Sequence, residues 1–101
     1  MVQINWTTRA KEDLKNIAYF ISQDSVYYAE KQVQRFYEAV EILSEQPEIG
    51  HPVGEYNLAR LRQILAGKYR IIYFIVNESR IDIITVHHSA RLLNLESRLY
   101  Q

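Results

Sequence analysis

The chain of 101 residues has no cysteine, only three glycines and only two prolines, and no apolar run approaches the length of about 18 residues that a membrane span needs. Without cysteine there are no disulfides, no thiolate metal sites and no cysteine nucleophile. So little glycine and proline leaves no room for linkers or low-complexity stretches, and a single domain over residues 1–101 is expected. The opening Met1-Val2-Gln3-Ile4-Asn5-Trp6 lacks the basic region and long apolar core of a secretory leader, so the cytoplasm is the expected location. Net charge is absent too, because 12 Lys and Arg balance 12 Asp and Glu. What is present is an ordinary globular mixture, 48% apolar and 24% charged, which argues against disorder for most of the chain.

The zero balance hides a division. Residues 1–54 carry five Lys and Arg against eight acids, and residues 55–101 carry seven against four, six of those seven being Arg. Arginine suits bidentate recognition of carboxylate or phosphate, so the second half is a candidate face for an anionic partner.

Val2 to Trp6 alternates apolar and polar and predicts a short strand. Thr7-Thr8 can cap a helix in which Ala10, Leu14, Ile17, Ala18 and Ile21 share one face. Asp24-Ser25 breaks and recaps the chain. A second helix to about Gln46 carries Ala29, Val33, Phe36, Val40 and Leu43 as its stripe, predicting an antiparallel helical hairpin. Pro47 to Gly54 holds both prolines and reads as a loop. The period then changes to two. Strands are expected over 58–65, 69–76 and 80–88, with turns at 66–68 and 77–79, as an antiparallel meander. Leu92, Leu95, Glu96 and Leu99 stand at the spacing of a short terminal helix. The fold class is therefore α+β, β-α-α-β-β-β, with a helical hairpin on a small antiparallel sheet. On the last two strands Tyr69, Ile71, Tyr73 and Ile75 point one way and Ile72, Phe74 and Val76 the other, with Ile81 and Ile83 opposing Ile84 and Val86. Both faces need cover. The helices supply one; the tail, a second copy or a partner protein must supply the other, and a partner is the preferred expectation.

His87 and His88 end the last strand on opposite faces and cannot share a metal, so no metal and no cofactor are expected. One of them can act as a general acid or base, or it can be an ordinary surface histidine at a strand end. Arg60 and Arg62 share a strand face, Arg70 opens the next strand, and Arg80 and Arg91 flank the last. These guanidinium groups either converge on a patch for phosphodiester or carboxylate oxygens, or stand as solvated edge charges. Among eight tyrosines, Tyr69, Tyr73 and Tyr100 are candidates for stacking or proton donation, set against the commoner half-buried core role.

The spaced residues Trp6-Thr7, Ala10, Asp13-Leu14 and Ile17, then Pro47 and Gly50, Arg62, Tyr69-Arg70-Ile71-Ile72-Tyr73, and Ile84, Val86, His88 and Arg91 resemble the RelE/ParE superfamily of toxins over residues 2–91. The resemblance implies the toxin of a bacterial type II toxin–antitoxin module, linked with plasmid stabilisation. It would be held inactive by an antitoxin whose C-terminal segment lies on the sheet and helices. RelE-like members are ribosome-dependent mRNA endoribonucleases. ParE-like members poison DNA gyrase and are binding inhibitors, not enzymes. For the RelE-like alternative the resemblance implies Arg62, Arg70 and His88 as the catalytic set, His87 being a second choice for proton transfer, with Glu48 or Glu55 as the carboxylate. Nucleases of that branch are markedly basic, whereas this chain is neutral. The helical hairpin, the Tyr-Arg-Ile-Ile-Tyr strand and the His-x-x-Arg ending resemble the ParE-like branch, which makes gyrase the expected target. Arg60, Arg62, Arg70, Tyr73, His87, His88 and Arg91 would then be contact residues, and the tail after Arg91 would contribute to target binding. A non-toxic interaction domain is the remaining alternative.

Overall fold

A computed structural model describes residues 1–91 together with Leu93 and Leu95. Strand β1 (Gln3–Trp6) leads through Thr7 into helix α1 (Thr8–Ser22). Thr7 holds this corner from both sides: its Oγ1 accepts the Ala10 N–H as the helix cap, and the same hydroxyl reaches the carbonyl oxygens of Ile83 and Ile84 at 2.8 and 3.0 Å. Ser25 caps helix α2 (Val26–Glu45) by accepting from Tyr28 N–H. Ala10 and Leu14 of α1, and Ala29, Phe36, Val40 and Leu43 of α2, are buried, so the expected stripes are the packed faces. The two helices form the hairpin that the spacing predicts and lie on one face of the sheet.

Strands β2 (His51–Pro52), β3 (Leu61–Ala66), β4 (Tyr69–Asn77) and β5 (Arg80–His88) follow, and the sheet runs β1-β5-β4-β3-β2. Three features differ from the sequence reading. The loop over 47–54 contains a two-residue edge strand, His51–Pro52, paired with Gln63 and Arg62. Strand β3 starts at Leu61 and not at Leu58, because a turn closed by Leu61 N–H on the Leu58 carbonyl keeps Leu58 to Arg60 off the ladder. The sheet is mixed rather than wholly antiparallel: the meander β3-β4-β5 is antiparallel, but β1 lies parallel to β5, with Gln3 opposite Arg80 and Trp6 opposite Ile83. A strand returning through a helical crossover can pair in this sense.

Gly67 opens the two-residue turn between β3 and β4 with φ of +66°, where a side chain would be strained and would press on Arg35 and Gln32 of α2.

The decisive irregularity is in β5. Tyr73 pairs with Ile83 but Ile72 pairs with Thr85, so Ile84 is an extra residue, a β-bulge. Beyond it the alternation is reset. Val86, expected on the side of Ile84, packs instead with Ile81 and Ile83 in the core beneath the helices. Past Ile83 strand β5 has outrun β1, and α1 supplies the missing partner there: Asp13 accepts from the Thr85 hydroxyl and, at 3.1 Å, from Val86 N–H.

The core under the helices gathers Tyr69, Ile71, Tyr73 and Ile75, as the parity of β4 predicts. The opposite face gathers Ile72, Phe74, Ile84 and Leu61, covered by Val53 and Tyr56 of the loop before β3 and by Leu93 and Leu95. Tyr56 hydroxyl accepts from Leu95 N–H at 2.8 Å. Over these residues the chain covers its own second face, so the partner protein preferred for that role on sequence grounds is not required there. Leu92, Glu96, Leu99 and Tyr100, named for the terminal helix and for stacking, lie outside the described residues.

Replacing Asp13 by Ala strips two hydrogen bonds from the bulge and leaves Val86 N–H without its acceptor. A loss of about 1–3 kcal/mol in unfolding free energy is expected by urea denaturation, with the helical signal retained in native buffer.

Candidate functional site

Among the described residues the second-half arginines do not converge. Alternation along β3 and β4 places Arg62, opposite Tyr73, on the helix side of the sheet, whereas Arg70, opposite His87, is on the other side. Strand alternation puts the two histidines on opposite faces as expected, and the bulge sets which face each takes: His87 joins Arg70, and His88 lies opposite Tyr69 on the helix side. Arg60 donates to the Val76 carbonyl at 3.3 Å at the far margin of the sheet. Arg80 makes a bidentate pair with Asp82 at 2.8 and 3.0 Å, and Arg91 is exposed beyond the end of β5. The single arginine patch considered from sequence is therefore corrected to separate groups, each tied to its own strand face.

Arg62 and Tyr73 fasten the loop that follows α2. Arg62 Nη1 donates to the Gly50 carbonyl at 2.6 Å. The Tyr73 hydroxyl donates to the Pro47 carbonyl at 2.8 Å and accepts from Gly50 N–H at 3.0 Å. The fit excludes any side chain at residue 50, since a Cβ there would stand 2.6 Å from both the Gln63 carbonyl oxygen and the Tyr73 hydroxyl. Burial raises the Tyr73 phenol above its ordinary range. Tyr73 is fully buried, so it is an internal strut and not the contact surface expected from sequence.

The outer face holds the most developed polar cluster. Arg70 Nη1 and Nη2 donate to Glu55 Oε1 and Oε2 at 3.1 and 2.9 Å, and Nη1 donates again to Gln63 Oε1 at 3.1 Å. This fork-on-fork pair is the strong form of a charge-assisted hydrogen bond. The Arg70 side chain is only 10% exposed and Glu55 is 44% exposed, so the arginine is the floor and the glutamate a lid over it. Arg70 Nε is buried with no partner. Hydrogen bonding from Arg70 holds the Glu55 carboxyl below its ordinary range against the opposing effect of desolvation, and His87 adds a smaller pull in the same direction. The His87 ring donates from Nε2 to the Arg91 carbonyl at 2.8 Å, since a carbonyl can only accept. The arrangement is thus a carboxylate, a guanidinium and an imidazole on one sheet face. Among the described residues no group of three or more potential ligands could hold a metal ion. Glu55 lies on an aperiodic loop, and only the resemblance pointed towards it. Gln63 was missed, although its position diagonal to Arg70 on the neighbouring strand was implicit in the hairpin register.

His88 lies in a cleft of 340 Å³ between α1 and the end of β5, with Arg9, Phe20, Tyr69 and Arg91 among its walls.

Two outcomes test these assignments. Tyr73→Phe leaves the Pro47 carbonyl and Gly50 N–H unpartnered and is expected to cost about 1–3 kcal/mol in denaturant unfolding. Glu55 has its folded-state pKa depressed, so its contribution to stability is complete above its unfolded value of about 4.5 and disappears as pH falls through the lower folded value. Glu55→Gln should therefore reduce stability near neutrality and narrow its gap to the wild type in acid, as read by thermal melts across pH. Asp82, also depressed by its bond from Arg80, stays in both proteins and cancels in the comparison.

A family model described as the ParE toxin of type II toxin–antitoxin systems, parDE, matches residues 4–93. A toxin designated RelE2 from Caulobacter vibrioides is 33% identical over 92 residues, spanning 91% of this chain and 100% of that protein. The solved structure of a chromosomal ParDE toxin–antitoxin system from P. aeruginosa superposes with a TM-score of 0.70 at 20% identity, over 87% of this chain and 96% of that one, a likeness of fold. No helix among the described residues is long and apolar enough to cross a membrane. The helical hairpin, the five-stranded mixed sheet and the match across nearly the whole length lead to one conclusion: the chain belongs to the ParE toxin family of type II toxin–antitoxin systems, within the RelE/ParE superfamily.

Proposed function

We propose that this toxin arrests growth in the cytoplasm by gripping a protein target, DNA gyrase, rather than by cutting mRNA, and that its antitoxin blocks that contact. The observation that carries the reading is the state of Arg70. A ribosome-dependent nuclease needs uncompensated cations around a scissile phosphate. Here the buried arginine already bears its own carboxylate, and Arg62 and His88, the other members expected for a catalytic set, face the opposite side of the sheet. A neutral chain also lacks the long-range attraction that draws a protein to RNA. The hairpin instead exposes Tyr19, Tyr27, Tyr28 and Tyr37, the aromatic composition typical of protein interfaces. In this reading Arg60, Arg91 and the hairpin tyrosines are contact residues, and the tail extends the contact.

A specific observation supports the second reading, an endoribonuclease. Glu55, Arg70 and His87 lie on one face, a carboxylate and an imidazole able to move protons beside a guanidinium able to hold phosphate.

Brief induction in a bacterial host, followed by mapping of mRNA 5′ ends and by cleavage assays with purified gyrase, separates the two. The expected outcome is gyrase–DNA cleavage complexes and no new cuts in translated messages. New cuts in translated regions, reduced about 10²–10⁴-fold by Glu55→Gln or His87→Ala, would replace the gyrase reading with the nuclease. Growth equal to that of the empty vector would remove both.

A further inference from the structure

The cleft between α1 and the end of β5 is on the opposite side of the sheet from Arg70, and it shares only Arg91 with the gyrase contact and His87 with the nuclease reading. One wall is the face of α1 that carries Arg9, Asn16 and Phe20; the other is Tyr69 with the last residues of β5, and Arg91 stands at the rim. Its 340 Å³ lies at the small end of the ligand-pocket range of roughly 300–1,000 Å³.

Three properties define what fits. The first is sign: two guanidinium groups, Arg9 and Arg91, line the cleft against one carboxylate, Asp13, whose Oδ2 accepts from the Thr85 hydroxyl and Val86 N–H. The second is donor direction. His88 Nδ1 accepts from Ala90 N–H at 3.2 Å, which places the ring proton of neutral His88 on Nε2, where it serves as a donor. Arg91 is anchored by its backbone: its carbonyl accepts from His87 Nε2, and its N–H donates to the His88 carbonyl at 3.0 Å. The third is an aromatic surface beside these donors. Tyr69 is held edge-on between Phe36, at 5.5 Å, and His88, at 5.3 Å. Phe20 is 68% exposed, an apolar ring on the wall of the same cleft as Arg9 and Arg91. Cations that grip an oxyanion, adjoining a flat apolar ring, match a phosphate joined to an aromatic base.

We propose that this cleft binds a nucleoside phosphate, with the phosphate held by Arg91 and His88 at the rim and the base stacked against Phe20. The assignment stands independently of whether gyrase or mRNA is the target.

Adenosine monophosphate, adenosine, inorganic phosphate and citrate, each titrated to about 10 mM at low salt into the full-length chain and followed by backbone amide shifts, provide the test. The monophosphate should bind and shift amides of residues 16–20 and 85–91. Arg91→Ala should weaken it about tenfold and the affinity for phosphate with it, while Phe20→Ala should weaken the monophosphate and leave phosphate unchanged. Both side chains are exposed, so the variants should retain the wild-type melting profile, and that profile is measured alongside. Absence of monophosphate binding overturns the proposal. So does binding that neither substitution alters, shifts confined to the Arg70 face, or citrate binding as tightly as the monophosphate, which marks an undiscriminating cationic patch.

Discussion

The layout of every polar group in the second half depends on the extra residue in β5. Because Ile84 is inserted opposite the step from Ile72 to Tyr73, the strand changes phase by one residue. Val86 turns into the core, His87 meets Arg70 on the outer face, and His88 meets Tyr69 beside α1. A bulge leaves ladder groups unpaired and must be stabilised by other contacts. Here Thr7 and Asp13 do this from the two ends of the first helical turns, Thr7 on the carbonyl oxygens of Ile83 and Ile84 and Asp13 on Thr85 and Val86. Helix α1 is thus both the cover of the core and the clamp that keeps the strand in its altered phase.

Two adjacent residues therefore serve two separate surfaces. The outer one is electrostatically closed, a guanidinium whose charge is paired by a glutamate from a loop, with a glutamine from the next strand accepting beside it. The inner one is open and carries more cation than anion along its walls. On the outer face a carboxylate from a loop meets the Arg70 guanidinium, whereas on the inner one Arg91 stands exposed at the rim of the cleft.

The elements that repeat were legible in the sequence. The 3.6-residue stripes through Ala10–Ile21 and Ala29–Leu43 and the alternation of Tyr69 to Val76 correspond to packed faces, because periodic burial leaves a periodic pattern. Three things were not. The phase change at Ile84 is marked in the sequence only by the adjacent pair Ile83-Ile84 between Asp82 and Thr85, which a strand covered on both faces accounts for equally well. The parallel placement of β1 is a property of topology that four residues cannot encode. Glu55 reaches Arg70 from an irregular loop, where spacing carries no directional information. Arg62 shows the reverse error: a residue that looked chemical is committed to the carbonyl of Gly50, and only the loop's path reveals that.

The parallel pairing of β1 with β5 also bears on when the molecule becomes whole. The strand made first can dock only against the strand made last, with Asn5 joined to Asp82 across 77 positions. The helical hairpin and the β3-β4-β5 meander close over short separations and can form while the chain is still being synthesised. The β1 edge, the Thr7 corner and the Asp13 clamp all wait for residues 80–86 to leave the ribosome. The contacts that α1 and β1 make with the bulge therefore come only after the strand that carries it has been made.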